Sequence, residues 1–252
     1  MAHRDLSEAN ELSPPPRLGR RESEPHSSEV NYLWKVLQRN FPNDRVMRDT
    51  PHLFLLGNKE ITLLPDISFF ENLIIPEKIG SYDAIEYNNR KPILVINILT
   101  RRTWRKDFAD NLEKCRRLKI PIYIVFFAYP IENGIYPYPF LRIYHLESDG
   151  EYKSMELTDP TFDGDELVNP EAILDCGEIL PFRIGLMRLK EVFQTGEALY
   201  RMVLVKKDTV ELFQTETEEM KKKWRESEER ANAERKRADR LEAELKRLKK
   251  ID

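Results

Sequence analysis

Three short apolar runs between Ile61 and Ala128, with a polar segment between the last two, most narrow what this chain can fold into. The runs are ITLLPDISFF at 61–70, PILVINILT at 92–100 and PIYIVFFA at 121–128, and the polar segment is TWRKDFADNLEKCRRLKI. Short apolar runs bounded by turn residues suit buried strands, and a polar segment of about four turns suits a helix. Strand, helix and strand in this order make a βαβ unit, whose crossover is normally right-handed. HLFLL at 52–56 is a further strand candidate, as is FLRIYHL at 140–146, which alternates like a half-exposed strand. The mixed order predicts one α/β domain over 28–205. It opens on a helix that Ser28 caps, with Val30, Leu33, Trp34 and Leu37 on one face. The stretch 147–180 is acidic and rich in turn residues and reads as a loop-heavy excursion.

The two ends have a different composition. Residues 1–27 carry Pro14, Pro15, Pro16 and Pro25 among serines and charges, with little to bury, and read as a disordered leader. After a connector at 206–215, the segment 216–252 has neither glycine nor proline. Charged residues reach 34% of the chain, against roughly 25% in average proteins. Much of the excess sits in this tail, so the middle can still build a core. Heptads place Trp224, Ala231, Ala238 and Leu245 at a, and Met220, Ser227, Glu234, Leu241 and Leu248 at d. Glu218–Lys222, Glu219–Lys223, Glu226–Arg230 and Glu242–Lys246 are i,i+4 pairs that each add about 0.2–0.5 kcal/mol to a helix. A long helix that self-associates as a coiled coil, or pairs with a partner helix, is expected over 216–250. Residues 216–250 hold 13 basic and 10 acidic side chains, which excludes a one-signed nucleic-acid tail.

A net charge of −3 excludes a histone-like binder but not a local basic patch. Two cysteines exclude a disulfide framework and a four-cysteine zinc site. The start, MAHRDLSEANELSPPP, has no apolar core for a secretory signal, and no apolar run is long enough to span a bilayer. A cytoplasmic protein with no membrane partner is expected.

Two polar residues interrupt the strand-like runs. Asp66 follows Pro65 and lies between Leu64 and Ile67, and Asn97 interrupts ILVINIL. A carboxylate among apolar neighbours needs a partner, water or a metal, and a buried amide needs hydrogen bonds. Asp66 can simply cap a turn at a strand end, and Asn97 can bond nearby backbone. The functional alternative is that adjacent strands bring both to one spot where a divalent cation binds. Beside them, Arg101, Arg102, Arg105, Lys106, Lys114, Arg116, Arg117 and Lys119 face only Asp107, Asp110 and Glu113, leaving about +5 over 101–119. Such a segment is either a solvated helix face or a phosphate-binding patch, with Arg101, Arg102, Arg105 and Lys106 as the nucleic-acid contacts.

The order LLPDISFF, PILVINILT, then a T-x3-D that opens a helix and PIYIVFF resembles the Uma-two family, bacterial restriction-endonuclease-like proteins of the PD-(D/E)XK nuclease superfamily. The resemblance spans about 28–205. It implies a restriction-endonuclease-like mixed sheet flanked by helices, with a long C-terminal helix added. It also implies metal-dependent phosphodiester hydrolysis, with Mg²⁺ as cofactor and DNA as partner. The family's first acid falls on Asp66, the implied metal ligand, and its second acid falls on Asn97. Thr103 and Asp107 match T-x3-D, the catalytic lysine falls on Asn111, a tyrosine on Cys115 and a glutamate on Ile122, while Pro121 and Tyr123 are retained.

Metal-assisted hydrolysis needs hard anionic oxygens for Mg²⁺ and a cation near the attacking water. Asn97 and Asn111 supply neither charge. The expectation is therefore a nuclease-derived domain with a degenerate site, which keeps nucleic-acid binding and uses no cofactor. Two alternatives compete with it. One is an active Mg²⁺-dependent endonuclease with Lys114 as a relocated lysine and Asp83 or Glu86 as a relocated acid. The other is a scaffold that displays the coiled coil.

Overall fold

The computed structural model describes residues 23–131 and 134–248, with side chains described through 241. The expected leader therefore lies outside the described residues as far as position 22, and its last residues are helical. Helix α1 covers Glu24–Asn40, starting before the expected cap at Ser28. Ser23 occupies the cap position and Pro25 falls in the first turn. There its fixed φ suits the helix, and its missing N–H removes no bond. Reading that proline with the polyproline stretch hid the true start.

Strands β1 (Arg45–Arg48), β2 (His52–Leu56), β3 (Lys59–Leu63), β4 (Ile67–Phe70), β5 (Tyr82–Asp83) and β6 (Leu94–Ile98) follow. The run 61–70 is thus two strands rather than one. Pro65 cannot donate to a ladder, and the break falls at Pro65–Asp66. A helical crossover comes next: α2 (Trp104–Lys106), a π-helical turn (Asp107–Asn111) and α3 (Leu112–Arg117). Then come β7 (Ile122–Phe127), β8 (Phe140–Leu146), β9 (Tyr152–Leu157), β10 (Phe162–Asp163), β11 (Glu166–Leu167), β12 (Phe182–Val192), β13 (Ala198–Lys206) and α4 (Glu216–Leu248). The excursion at 147–180 thus contains strands of its own. The β12–β13 hairpin, not expected from sequence, is buried on both faces at one end, so its side chains do not alternate cleanly.

The central sheet runs β1-β4-β6-β7-β8-β9. Its β6–β7 pair is parallel, from Leu94↔Ile122 to Ile98↔Phe126, and every other pair in it is antiparallel. This is the predicted βαβ unit inside a mixed sheet. Two smaller sheets, β11-β10-β12-β13 and β3-β2-β5, flank it. The mixed α/β architecture and the long C-terminal helix are those the sequence predicts. No described helix is long and apolar enough to cross a membrane.

Helix α1 buries Val30, Leu33, Val36 and Leu37 and lies against β1, β4, β6 and β13. Just past its end, Phe41 sits among Phe69, Phe182 and Phe213, with ring centroids 5.7, 5.5 and 5.2 Å away. Such ring pairs add about 0.5–1.5 kcal/mol beyond area burial. The helix also buries a charge. Glu29 Oε1 accepts a 2.9 Å hydrogen bond from the Met202 amide, and its Oε2 lies 3.3 Å from Arg201 Nε. Arg201 in turn lies over the Tyr32 ring at 4.0 Å and reaches Glu218 of α4 at 3.7 Å. Burial raises the Glu29 carboxyl to about 7, and the Arg201 guanidinium offsets only part of that cost.

A raised folded-state pKa means that the native protein keeps a proton which the unfolded chain has already released. This contribution to stability therefore falls as pH rises from about 4.5 to about 7, and levels off above. Its size is about 3 kcal/mol. Urea unfolding of the wild type and of Glu29→Gln at pH 5 and pH 8 checks this. The wild type is expected to lose more stability than the variant between the two, and equal losses would refute it.

Candidate functional site

The break between β3 and β4 positions Asp66. Its amide lies 3.3 Å from Asn97 Oδ1, and its Oδ2 accepts a 2.6 Å hydrogen bond from the Ile98 amide. Strand pairing thus brings Asp66 and Asn97 together, as the sequence suggested. The crossover begins with Thr100 and Thr103, whose hydroxyls lie 3.0 Å apart while the Thr103 amide donates to Thr100 Oγ1 at 3.2 Å. These bonds satisfy donors at the helix start. The π-helical turn follows, a form often found at functional sites. It aligns Asp107 with Asn111, whose Nδ2 donates to Asp107 Oδ1 at 2.7 Å.

Asn97 closes the network from the sheet. Its Nδ2 donates to Asp107 Oδ1 at 2.9 Å and lies 3.2 Å from the Tyr123 hydroxyl oxygen. The Tyr123 hydroxyl donates to the Asp107 carbonyl at 3.0 Å. Asn97, Asp107, Asn111 and Tyr123 are all buried. Burial raises the Asp107 carboxyl above its usual range, and the charge of Asp66 adds to this, while hydrogen bonds from Thr103, Asn111 and Asn97 oppose it. Burial also holds the Tyr123 phenol well above its ordinary value, so it stays neutral.

Asp66, Asn97, Asp107 and Asn111 line a cavity of about 510 Å³. Arg101, Arg102 and Lys106 line it as well, and all three are exposed. Ser23 and His26 reach it from the start of α1, and Tyr129 from beyond β7. His26 Nε2 lies 3.3 Å from Asp66 Oδ2. His26 lies in the stretch whose composition reads as a leader; the Ser-Glu-Pro helix start just before it is the signal that places it on α1. The sequence shows Asp107 as a motif match and as one of three acids among the bases of 101–119, while its i,i+4 spacing to Asn111 is the signal that places the two on one helix face.

The other candidates lie elsewhere. Lys114 does not line the cavity: its Nζ donates to the Thr62 carbonyl at 2.9 Å, on β3. Three residues past Asn111 it stands about a sixth of a turn off that face, and the strand carbonyl takes its ammonium. Arg105 does not line the cavity; its guanidinium lies 4.5 Å from the centroid of the Trp104 ring. Arg116 pairs with Glu113 and Glu151. Asp83 accepts from the Ile85 amide and caps a short turn, and neither it nor Glu86 lines the cavity.

The residues present do not fit the Mg²⁺ site that the family resemblance implies. Asn97 has only a neutral amide oxygen, which faces the Asp66 amide, and its NH₂ is turned toward Asp107. Asn111 spends its NH₂ on the same carboxylate. Among the described residues, no group of three His, Cys, Asp or Glu side chains converges to hold a metal ion.

No family model matches the sequence, and no curated protein matches it. Among solved structures, the chain is similar to a protein from Anabaena variabilis ATCC 29413 described as "a putative nuclease belonging to DUF820". The two share 16% identity over 63% of this chain and 81% of that one, with a TM-score of 0.39.

The network makes Asn97 the sensitive position. Asn97→Glu places a third carboxylate beside Asp66 and Asp107 in a buried site. It is expected to cost about 3–5 kcal/mol, the range for an uncompensated buried charge. Adding Asn111→Lys supplies a cation next to Asp107 and should recover part of that loss. Urea unfolding of the single and double variants checks this; equal stabilities for the two would show that no such coupling exists.

Proposed function

We propose that this chain is a nuclease-derived domain that binds nucleic acid through the rim of the cavity and does not cleave it. The observation that carries the reading is the division of the cavity into two parts. Arg101, Arg102 and Lys106 stand exposed around it, whereas the asparagines at the matched catalytic positions hold Asp107. The rim suits phosphate oxygens, since guanidinium and ammonium groups supply charge-assisted hydrogen bonds. The floor's two carboxylates, Asp66 and Asp107, are taken up by the Ile98 amide and by Asn97 and Asn111, and the matched lysine position carries no cation, whereas metal-assisted hydrolysis needs free anionic ligands and a cation near the water.

The resemblance of the LLPDISFF and PILVINILT segments to Uma-two proteins supports nuclease descent, and DNA is the expected partner on that reading. Because Arg105 lies on Trp104, the rim is narrower than the whole basic segment. Binding should be weak and salt-sensitive, since each phosphate neutralised releases counterions.

Fluorescence anisotropy with DNA oligonucleotides at several salt concentrations tests binding. Replacing Arg101, Arg102 and Lys106 by Ala is expected to weaken binding and flatten the salt dependence, while Lys114→Ala leaves both unchanged. Plasmid incubation with Mg²⁺ or Mn²⁺ tests the second half, with no nicking expected above background. Cleavage by the wild type that Asp66→Ala abolishes would overturn the degenerate-site reading. Absence of binding at low salt would overturn the rim.

A further inference from the structure

Among the described residues, helix α4 is fixed to the domain only at its beginning. Thr215 and Glu218 form a capping box: Thr215 N donates to Glu218 Oε2 at 2.8 Å, and Glu218 N to Thr215 Oγ1 at 3.3 Å. Arg39 of α1 pairs with Glu219, and Asn40 Nδ2 donates to the Gln214 carbonyl at 3.1 Å. Arg225 lies 3.5 Å from Asp165. Beyond that point every described side chain, through Leu241, is exposed. Met220, Trp224 and Leu241 are 63%, 66% and 53% exposed, and they fall at d, a and d of the heptads. Large apolar groups repeating on one side of an otherwise charged helix mark a surface that another helix covers.

We propose that α4 pairs with the α4 of a second copy of this chain, and that the two helices run antiparallel. The residues at a and d decide the direction. A parallel, in-register pair sets Glu234 against the partner's Glu234 at a buried d position, a like-charge contact in the seam. It also sets Trp224 against the partner's Trp224. An antiparallel pair layers a against d, and the register centred between Ala231 and Glu234 matches large with large and small with small in its outer layers and sets the long Glu234 against a small residue at its centre. Trp224 meets the partner's Leu241, Ala238 meets the partner's Ser227, and Glu234 meets the partner's Ala231. The last layer sets Glu234 beside the partner's Arg230, and in the flanking positions Glu228 meets the partner's Arg235. Both are opposite-charge contacts, so the polar d position that weakens a parallel seam becomes a pairing element in this one.

Light scattering on the full chain is the first test. The expected mass is twice the 29.9 kDa of one chain, falling to one chain for Trp224→Arg. That side chain is exposed, so circular dichroism should show the domain unchanged. A single-chain mass for the wild type at high concentration, or an unaltered dimer for Trp224→Arg, would overturn the pairing.

Oxidative cross-linking then tests direction, and because both native cysteines are buried, an introduced thiol reports alone. In the antiparallel pair Ser227 lies about 16 Å along the axis from the partner's Ser227, too far for a disulfide. Ser227→Cys by itself should therefore give no cross-linked dimer, whereas a mixture of Ser227→Cys and Ala238→Cys chains should cross-link readily. Efficient cross-linking of Ser227→Cys with itself, or none in the mixture, would overturn the antiparallel arrangement.

Discussion

The carboxylate of Asp107 is the group around which the candidate site is arranged. A buried carboxylate costs several kcal/mol unless its oxygens are hydrogen-bonded. Here one oxygen accepts from two amides on different elements, Asn97 of β6 and Asn111 of the helical turn. Tyr123 of β7 secures the carbonyl of the same residue. The need to satisfy one acid therefore ties the crossover to both strands of the parallel pair.

This arrangement changes the meaning of the two asparagines. Compared position by position with a metal-dependent nuclease, they are losses of charge. Within the folded chain they are donors, and both donate to Asp107. The carboxylate of Asp66 stays outside the amide network. The residue's backbone amide contacts Asn97, and its carboxylate takes the Ile98 amide and faces His26. The acidic floor is thus held by the protein's own polar groups, and the cations that remain exposed stand around it.

The central strands and the crossover were legible because their apolar runs are short, bounded by prolines and separated by one helix-length segment. Asp66 and Asn97 were legible as a pair because polar residues are rare in such runs. Other features were not. The β12–β13 hairpin lacks clean alternation because its two ends differ in burial. The start of α1 was hidden by a proline that belongs to the helix. The direction in which Lys114 and Arg105 point depends on which acceptor or ring stands nearby, here the Thr62 carbonyl and Trp104. Sequence spacing fixes the face of a helix but not its neighbour.

Helix α1 connects two regions far apart in the chain. Near its first turn His26 faces Asp66, and at its other end Arg39 and Asn40 hold the base of α4. At 1.5 Å per residue its 17 residues make a strut about 25 Å long. A torque applied through α4 enters the domain at its base, where Arg39–Glu219 joins it to this strut, Arg201–Glu218 joins it to β13 and Phe213 packs on Phe41. The two ion pairs are partly exposed and weaken as salt rises, whereas the ring contact does not, so ionic strength loosens the joint without releasing it.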